Sequence, residues 1–264
     1  MKREWLAGSL YILFGGICVV FLLNLLPTST PVALFLVVTG TQAILTVLHA
    51  EFVLGTRRLL VLVGLTLTLT FLAEFLGTRY GLIFGHYHYG DSLGPKILDV
   101  PVAIPIAWLT MLYPSWLLAR LIVGRHRASL RFSPLRAALG GLLMVGWDLS
   151  LDPALAIGSR FWIWEEGGFY QGIPFTNFVG WWFVSFVILL LFELLTSPRP
   201  GQIISRIDRP NLLPFLLYQA NLLFTSALCF SHGLSQAGGV GLICAGLAAI
   251  LVLLQPQAFA KDRT

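Results

Sequence analysis

Eight apolar stretches follow one another along the chain, at about 5–26, 31–50, 59–77, 101–123, 135–151, 178–196, 212–230 and 236–255. Each approaches the roughly 20 residues that an α-helix needs to cross a bilayer. None alternates with the two-residue period of a membrane β-barrel strand. The pattern predicts an all-α fold: a polytopic integral membrane helical bundle of about eight transmembrane helices. It forms a single membrane domain over residues 1–264. The N-terminal "MKREWLAGSLYILFGGICVVFLLNLL" begins like a secretory signal. Its apolar run is too long for one and no small-residue cleavage site follows, so it is read as a retained first span.

The polar connections sharpen this picture. Lys2 and Arg3, then Arg57 and Arg58, then Arg120, Arg125, Arg127, Arg131 and Arg136, then Arg199, Arg206 and Arg209, and finally Lys261 and Arg263 mark every second connection. That is the positive-inside pattern for both termini cytoplasmic. It puts two long loops, about 77–100 and the net acidic one before residue 178, together on the non-cytoplasmic side. Composition agrees, with 57% hydrophobic and 11% charged residues against about 25% charged in soluble domains, and a mean hydropathy of +0.83. The net charge of +5 is spent on orienting helices, so no nucleic-acid partner is expected; membrane lipid is. Cys18, Cys229 and Cys244 lie inside apolar runs without a CxxC pair, as buried, inert thiols.

An ionisable group inside a span costs roughly 2.5–3.5 kcal/mol on insertion scales and needs a partner, a wet cavity or a function. Glu51 and Glu193 sit near cytoplasmic ends, where pairing with arginine suffices. Glu74 and Asp148 lie toward the outer ends of their spans, beside aromatic-rich loops. Asp148 and Asp152 are four apart and share a helix face if the helix continues that far; Pro153 predicts that it stops there. One reading pins these acids to Arg79 and Arg160. The other makes them proton donors, because burial among tryptophans and a second carboxylate both favour a protonated acid. Trp5 and Trp116 suit an interfacial belt. The set Tyr80, Tyr87, Tyr89, Trp147, Trp162, Trp164, Tyr170, Trp181 and Trp182 is too dense for a belt alone, and aromatic faces stabilise cations. His49, His126 and His232 are scattered. His86 and His88 in "HYH" share one side of an extended segment, but no further ligands of a metal site accompany them, and no nucleotide-binding glycine motif occurs.

The two long loops also resemble each other. Glu74 to Trp108 spans 34 residues and so does Asp148 to Trp182, each running from an acid through an aromatic–glycine loop and a proline to a new span. Internal repeats of this kind often hold a site at their interface.

"EFLGTRYGLIFGHYHYG…LDVPVAIPIAW" followed by "WDLSLDPALA…WIWEEGGFYQGIPFTNFVGWW" resembles the CruF-type carotenoid biosynthesis membrane proteins. These include the 1′,2′-hydratases of γ-carotene and lycopene and the archaeal bisanhydrobacterioruberin hydratase. The likeness is strongest over about 70–185, which marks that region as the catalytic core. It implies addition of water across the terminal double bond of a linear ψ-end to give a tertiary alcohol. No cofactor and no metal are implied. The implied partner is a lipophilic carotene such as γ-carotene or lycopene, with other carotenoid pathway enzymes as potential neighbours. The residues suit that chemistry: an acid protonates the alkene, aromatic faces and a carboxylate stabilise the cation, and a polar group positions water. Asp148 or Glu74 is the candidate acid, and Asp152 holds the water or tunes the acid. Asn177 and His86 are candidates for orienting water, and Tyr87, Trp147, Trp162, Trp164, Tyr170 and Trp181 for the substrate pocket.

Two other classes compete. Asp148-x-x-x-Asp152 is similar to half of the aspartate motifs of UbiA-type prenyltransferases, which bind Mg²⁺ and a prenyl diphosphate; the second motif is missing and the acids fall on the non-cytoplasmic side. Buried acids and Pro105 and Pro114 in one span would also suit a transporter.

Overall fold

The computed structural model describes residues 2–24, 31–123, 133–196 and 209–255. Arg125, His126, Arg127, Arg131, Arg199, Arg206, Lys261 and Arg263 lie outside the described residues, as do the side chains of Lys2, Arg3, Trp5 and Arg209. Eight long helices follow the apolar stretches: α1 (Lys2–Asn24), α2 (Pro31–Leu54), α3 (Thr56–Tyr80), α4 (Ala103–Val123), α5 (Pro134–Asp152), α6 (Phe175–Leu195), α7 (Arg209–Ser231) and α8 (Ser235–Leu253). Seven are long and apolar enough to span a membrane, and α1 contributes the shorter apolar stretch Gly8–Leu23. The protein is a multi-pass helical membrane protein.

Local chemistry sets the helix ends. Gly81, at φ 65°, closes α3 in the left-handed conformation, and the N–H groups of Gly81 and Leu82 reach back to Gly77 and Leu76, a glycine stop. Ser133 caps α5 through its hydroxyl, which accepts from the Arg136 N–H, and Pro134 occupies the first position, where its missing N–H costs nothing. Along α3, Arg58, Leu62, Thr66, Thr70 and Glu74 recur every four residues and are all buried. These polar groups thus face the bundle, while Leu60, Thr68 and Leu72 face outward.

Pro153 does not end its helix. The chain runs on through a π-helical turn, Pro153–Gly158, a wider coil that accommodates the proline ring. Proline brings no N–H to the Leu149 carbonyl, and the Tyr170 hydroxyl donates to that carbonyl instead, at 2.7 Å.

Helices α3 to α6 form the centre, α2 packs on α4, and α7 and α8 pack on α5. Gly140 lets α5 approach α6 closely; a Cβ there would lie 2.3 Å from the Leu189 side chain. Gly180 likewise lets α6 meet the Ile83 carbonyl, which a Cβ would approach to 2.6 Å. Gln42 and Asn221 join α2 to α7 at 3.2 Å, and His49 and Tyr113 join α2 to α4 at 2.9 Å. The Cys229 thiol packs onto the Ser150 carbonyl, and all three cysteines are unbridged.

At the end of the bundle opposite the long loops, Glu193 takes two hydrogen bonds from Arg136, at 2.8 and 2.9 Å, and others from the Trp116 indole and the Ser133 N–H. Arginine pairing of Glu193 is therefore as expected. Trp116 is not interfacial: it is buried, with Arg58 and Arg120 stacked near its ring. Glu51 accepts from the Thr56 hydroxyl rather than from an arginine.

The two long loops meet. Strand β1 (Tyr87–Tyr89) pairs antiparallel with a strand 75 residues later, Trp162–Trp164, with Tyr87 opposite Trp164 and Tyr89 opposite Trp162. That strand is β4. Between them, β2 (Lys96–Ile97) and β3 (Val100–Pro101) form a small hairpin, whose turn residues Leu98 and Asp99 both have positive φ. The sequence pattern did not foretell these strands, which are two or three residues long. In β1 and β4, Tyr87, Tyr89 and Trp162 point into the protein, while His88 and Ile163 point out.

Candidate active site

Beneath the β1–β4 pair, between α3, α4, α5 and α6, lies a cavity with about 510 Å³ of empty space, part of it open to the surroundings. Every lining residue except Phe35 of α2 falls between positions 70 and 185. Five indole rings line it: Trp108, Trp147, Trp162, Trp164 and Trp181. Trp108 and Trp181 stack with centroids 3.9 Å apart, and Trp147 stands edge-on to Trp181. The polar wall consists of Glu74, Tyr87, Tyr89, Asp152 and Asn177; among the described residues no lysine, arginine or histidine lines the cavity.

Each acid is held by neutral donors. The Glu74 carboxylate accepts from the Tyr87 hydroxyl, from the Tyr89 hydroxyl at 2.7 Å and from the Trp108 indole at 3.0 Å. Burial first, and the neighbouring Glu74 next, hold both phenols well above the usual tyrosine range, so both remain donors. Asp152 accepts from the Trp162 indole at 2.6 Å and from the Asn177 amide at 2.5 Å. The same amide nitrogen donates to Asp148 at 2.9 Å. Asn177 therefore bridges the two aspartates. The alternative of ion pairs to Arg79 and Arg160 is not what the structure contains: among the described residues the hydrogen-bond partners of all three acids are tyrosine, tryptophan and asparagine.

The structure sorts the sequence-predicted residues. Glu74, Asp152, Tyr87, Trp147, Trp162, Trp164, Asn177 and Trp181 come together on the wall. Asp148 is fully buried behind it, reached through Asn177. His86 is exposed, its ring lying over Gly81, and His88 meets Glu165 at 3.3 Å on the outer surface. Tyr170 serves the Leu149 carbonyl, and the Trp182 indole donates to Ala138. Eight lining residues lie outside the set the sequence singled out for the site, among them Tyr89, Trp108 and Phe35. Tyr89 and Trp108 complete the Glu74 shell; the two-residue spacing from Tyr87 and the 34-residue spacing from Glu74 are their signals. Phe35 arrives from α2 with no sequence signal at all.

The repeat is realised in part. Glu74 bonds to Trp108, 34 residues on, whereas Asp148 turns to Asn177, and the ring that stacks on Trp108 is Trp181 rather than Trp182.

A family model described as carotenoid biosynthesis protein matches residues 9–249. The chain is 36% identical over 192 residues to a bisanhydrobacterioruberin hydratase of Haloarcula japonica, a match covering 70% of this chain and 62% of that protein. The match thus spans less than two thirds of the relative's length. No solved structure matches the chain.

Proposed function

The chain belongs to the carotenoid biosynthesis protein family, and from that premise we propose that it is a hydratase of linear carotene ends in the prokaryotic cell membrane. The substrate is a lipophilic carotene of the lycopene or γ-carotene kind, and water adds across its terminal C1′=C2′ bond. The observation that carries the reading is an indole-lined cavity inside the membrane bundle whose charged groups are all carboxyls. Such a wall suits an intermediate that is apolar before reaction and cationic during it. That all but one lining residue falls within 70–185 supports this region as the catalytic core.

Asp152 is the proton donor in this reading, because it lies on the wall and Asp148 does not. Two anionic carboxylates bridged by one amide repel strongly in a low dielectric, so the pair carries one shared proton. Asp152 transfers that proton to C2′; the π electrons form the new C–H bond and C1′ becomes a tertiary cation. Glu74, with three donors on it, stays a carboxylate and stabilises the cation across the cavity, together with the indole faces. A water oxygen then bonds to C1′, and its surplus proton returns to Asp152. Hydrogen and hydroxyl have been added, and the acid is restored. The family match favours this reading over the prenyltransferase and transporter alternatives.

Expression in a lycopene- or γ-carotene-producing bacterium tests it. Pigment heavier by one water is the expected result. Unchanged pigment across several linear-ended carotenes, with the protein present in the membrane, would overturn it.

A further inference from the structure

Resting on the hydratase reading, a second feature of the same cavity identifies where the water sits. Four of the wall's five indoles fall into two groups by their N–H. Trp108 and Trp162 give their N–H groups to Glu74 and Asp152. Trp147 and Trp164 also line the cavity, yet their Nε1 atoms are buried and have no acceptor among the described residues. A buried N–H without an acceptor is costly and uncommon in a folded protein. Two of them in one reaction chamber mark a place built for an oxygen that the protein does not itself supply.

The substrate's reacting end is a hydrocarbon and has no acceptor to offer. The other reactant, water, has. We propose that the Trp147 and Trp164 indoles form the water subsite, in which their N–H groups hold the nucleophilic oxygen beside Asp152. Trp147 is one helical turn before Leu151 and five residues before Asp152, all three on the cavity wall. Trp164 reaches the cavity from β4, two residues beyond Trp162, the ring bonded to Asp152. The oxygen accepts from both indoles at rest; at capture one of these hydrogen bonds yields and frees a lone pair for C1′, while one of its hydrogens stays on Asp152. It bonds to C1′ and releases one proton to the Asp152 carboxylate. Trp147 and Trp164 are thus positioning residues for capture, with no part in protonation.

Capture and protonation are separable in heavy water. A cation formed at C1′ after deuteron transfer to C2′ has two fates. Water captures it, giving the alcohol, or a proton leaves C2′ and returns the alkene with deuterium in place of hydrogen. Membranes holding the wild type, Trp147→Phe or Trp164→Phe would be given lycopene in D₂O, and both alcohol and deuterium in recovered lycopene measured by mass spectrometry. Each variant should form alcohol about tenfold more slowly, as expected for one lost hydrogen bond, while deuterium in recovered lycopene persists or rises. Equal loss of both signals, or unchanged alcohol formation in both variants, overturns the inference and leaves the hydratase reading intact. If Trp147→Phe does not accumulate, Trp164→Phe carries the same comparison. A wild type that forms no alcohol from any linear carotene overturns the hydratase reading and the water subsite with it.

Discussion

At the scale of single residues, the cavity gives the three acids different surroundings. Asp152 and Glu74 share a chamber but differ in what holds them. Glu74 takes two phenols and an indole, whereas Asp152 takes an indole and an amide that Asp148 also uses. Asp152→Asn should abolish alcohol formation with protein level unchanged, read as product per membrane protein. Asp148→Asn keeps the amide bridge in altered form and should slow the reaction while leaving it measurable; full activity in Asp152→Asn together with a dead Asp148→Asn would reverse the assignment. Glu74→Gln should lower the rate by at least about a hundredfold, the size of losing one preorganised electrostatic partner of a transition state. That these acids would be buried with partners was legible in the sequence, because a carboxylate in an apolar run needs a reason. Which aspartate faces the cavity was not. The two lie one turn apart, and their partners are Asn177 and Trp162, side chains from later elements.

At the scale of elements, the apolar stretches located all eight helices to within a few residues, since bilayer thickness constrains them directly. The short strands were invisible because β1 and β4 are three residues each and stabilise one another only across the 72 positions between Tyr89 and Trp162. The helical run past Pro153 was also hidden, because its support comes from Tyr170. Tyr170→Phe removes the donor to the Leu149 carbonyl and should cost about 1–3 kcal/mol of stability, visible as a lower unfolding temperature in detergent. At the other end, Glu193→Ala leaves the buried Arg136 guanidinium without its carboxylate and should cost about 3–5 kcal/mol, measured the same way.

At the scale of the whole molecule, the charge pattern of the sequence predicts that the β1–β4 pair and its cavity lie on the face away from the cytoplasm. Single cysteines introduced at the exposed positions His88 and Ile97, in a cysteine-free background, should react with an impermeant maleimide added to intact cells. A cysteine near the C-terminus should react only after the cells are opened. The long-range assembly of the site was beyond the sequence pattern, which showed two similar loops but not how they join.

The donors to each acid come from its own half of the chain. Glu74 is served by Tyr87, Tyr89 and Trp108, whereas Asp148 and Asp152 are served by Trp162 and Asn177. The polar shell of Glu74 and that of the aspartate pair are thus each drawn from one half of the chain, so the chamber between them is a seam that, among the described residues, no hydrogen bond to these three acids crosses.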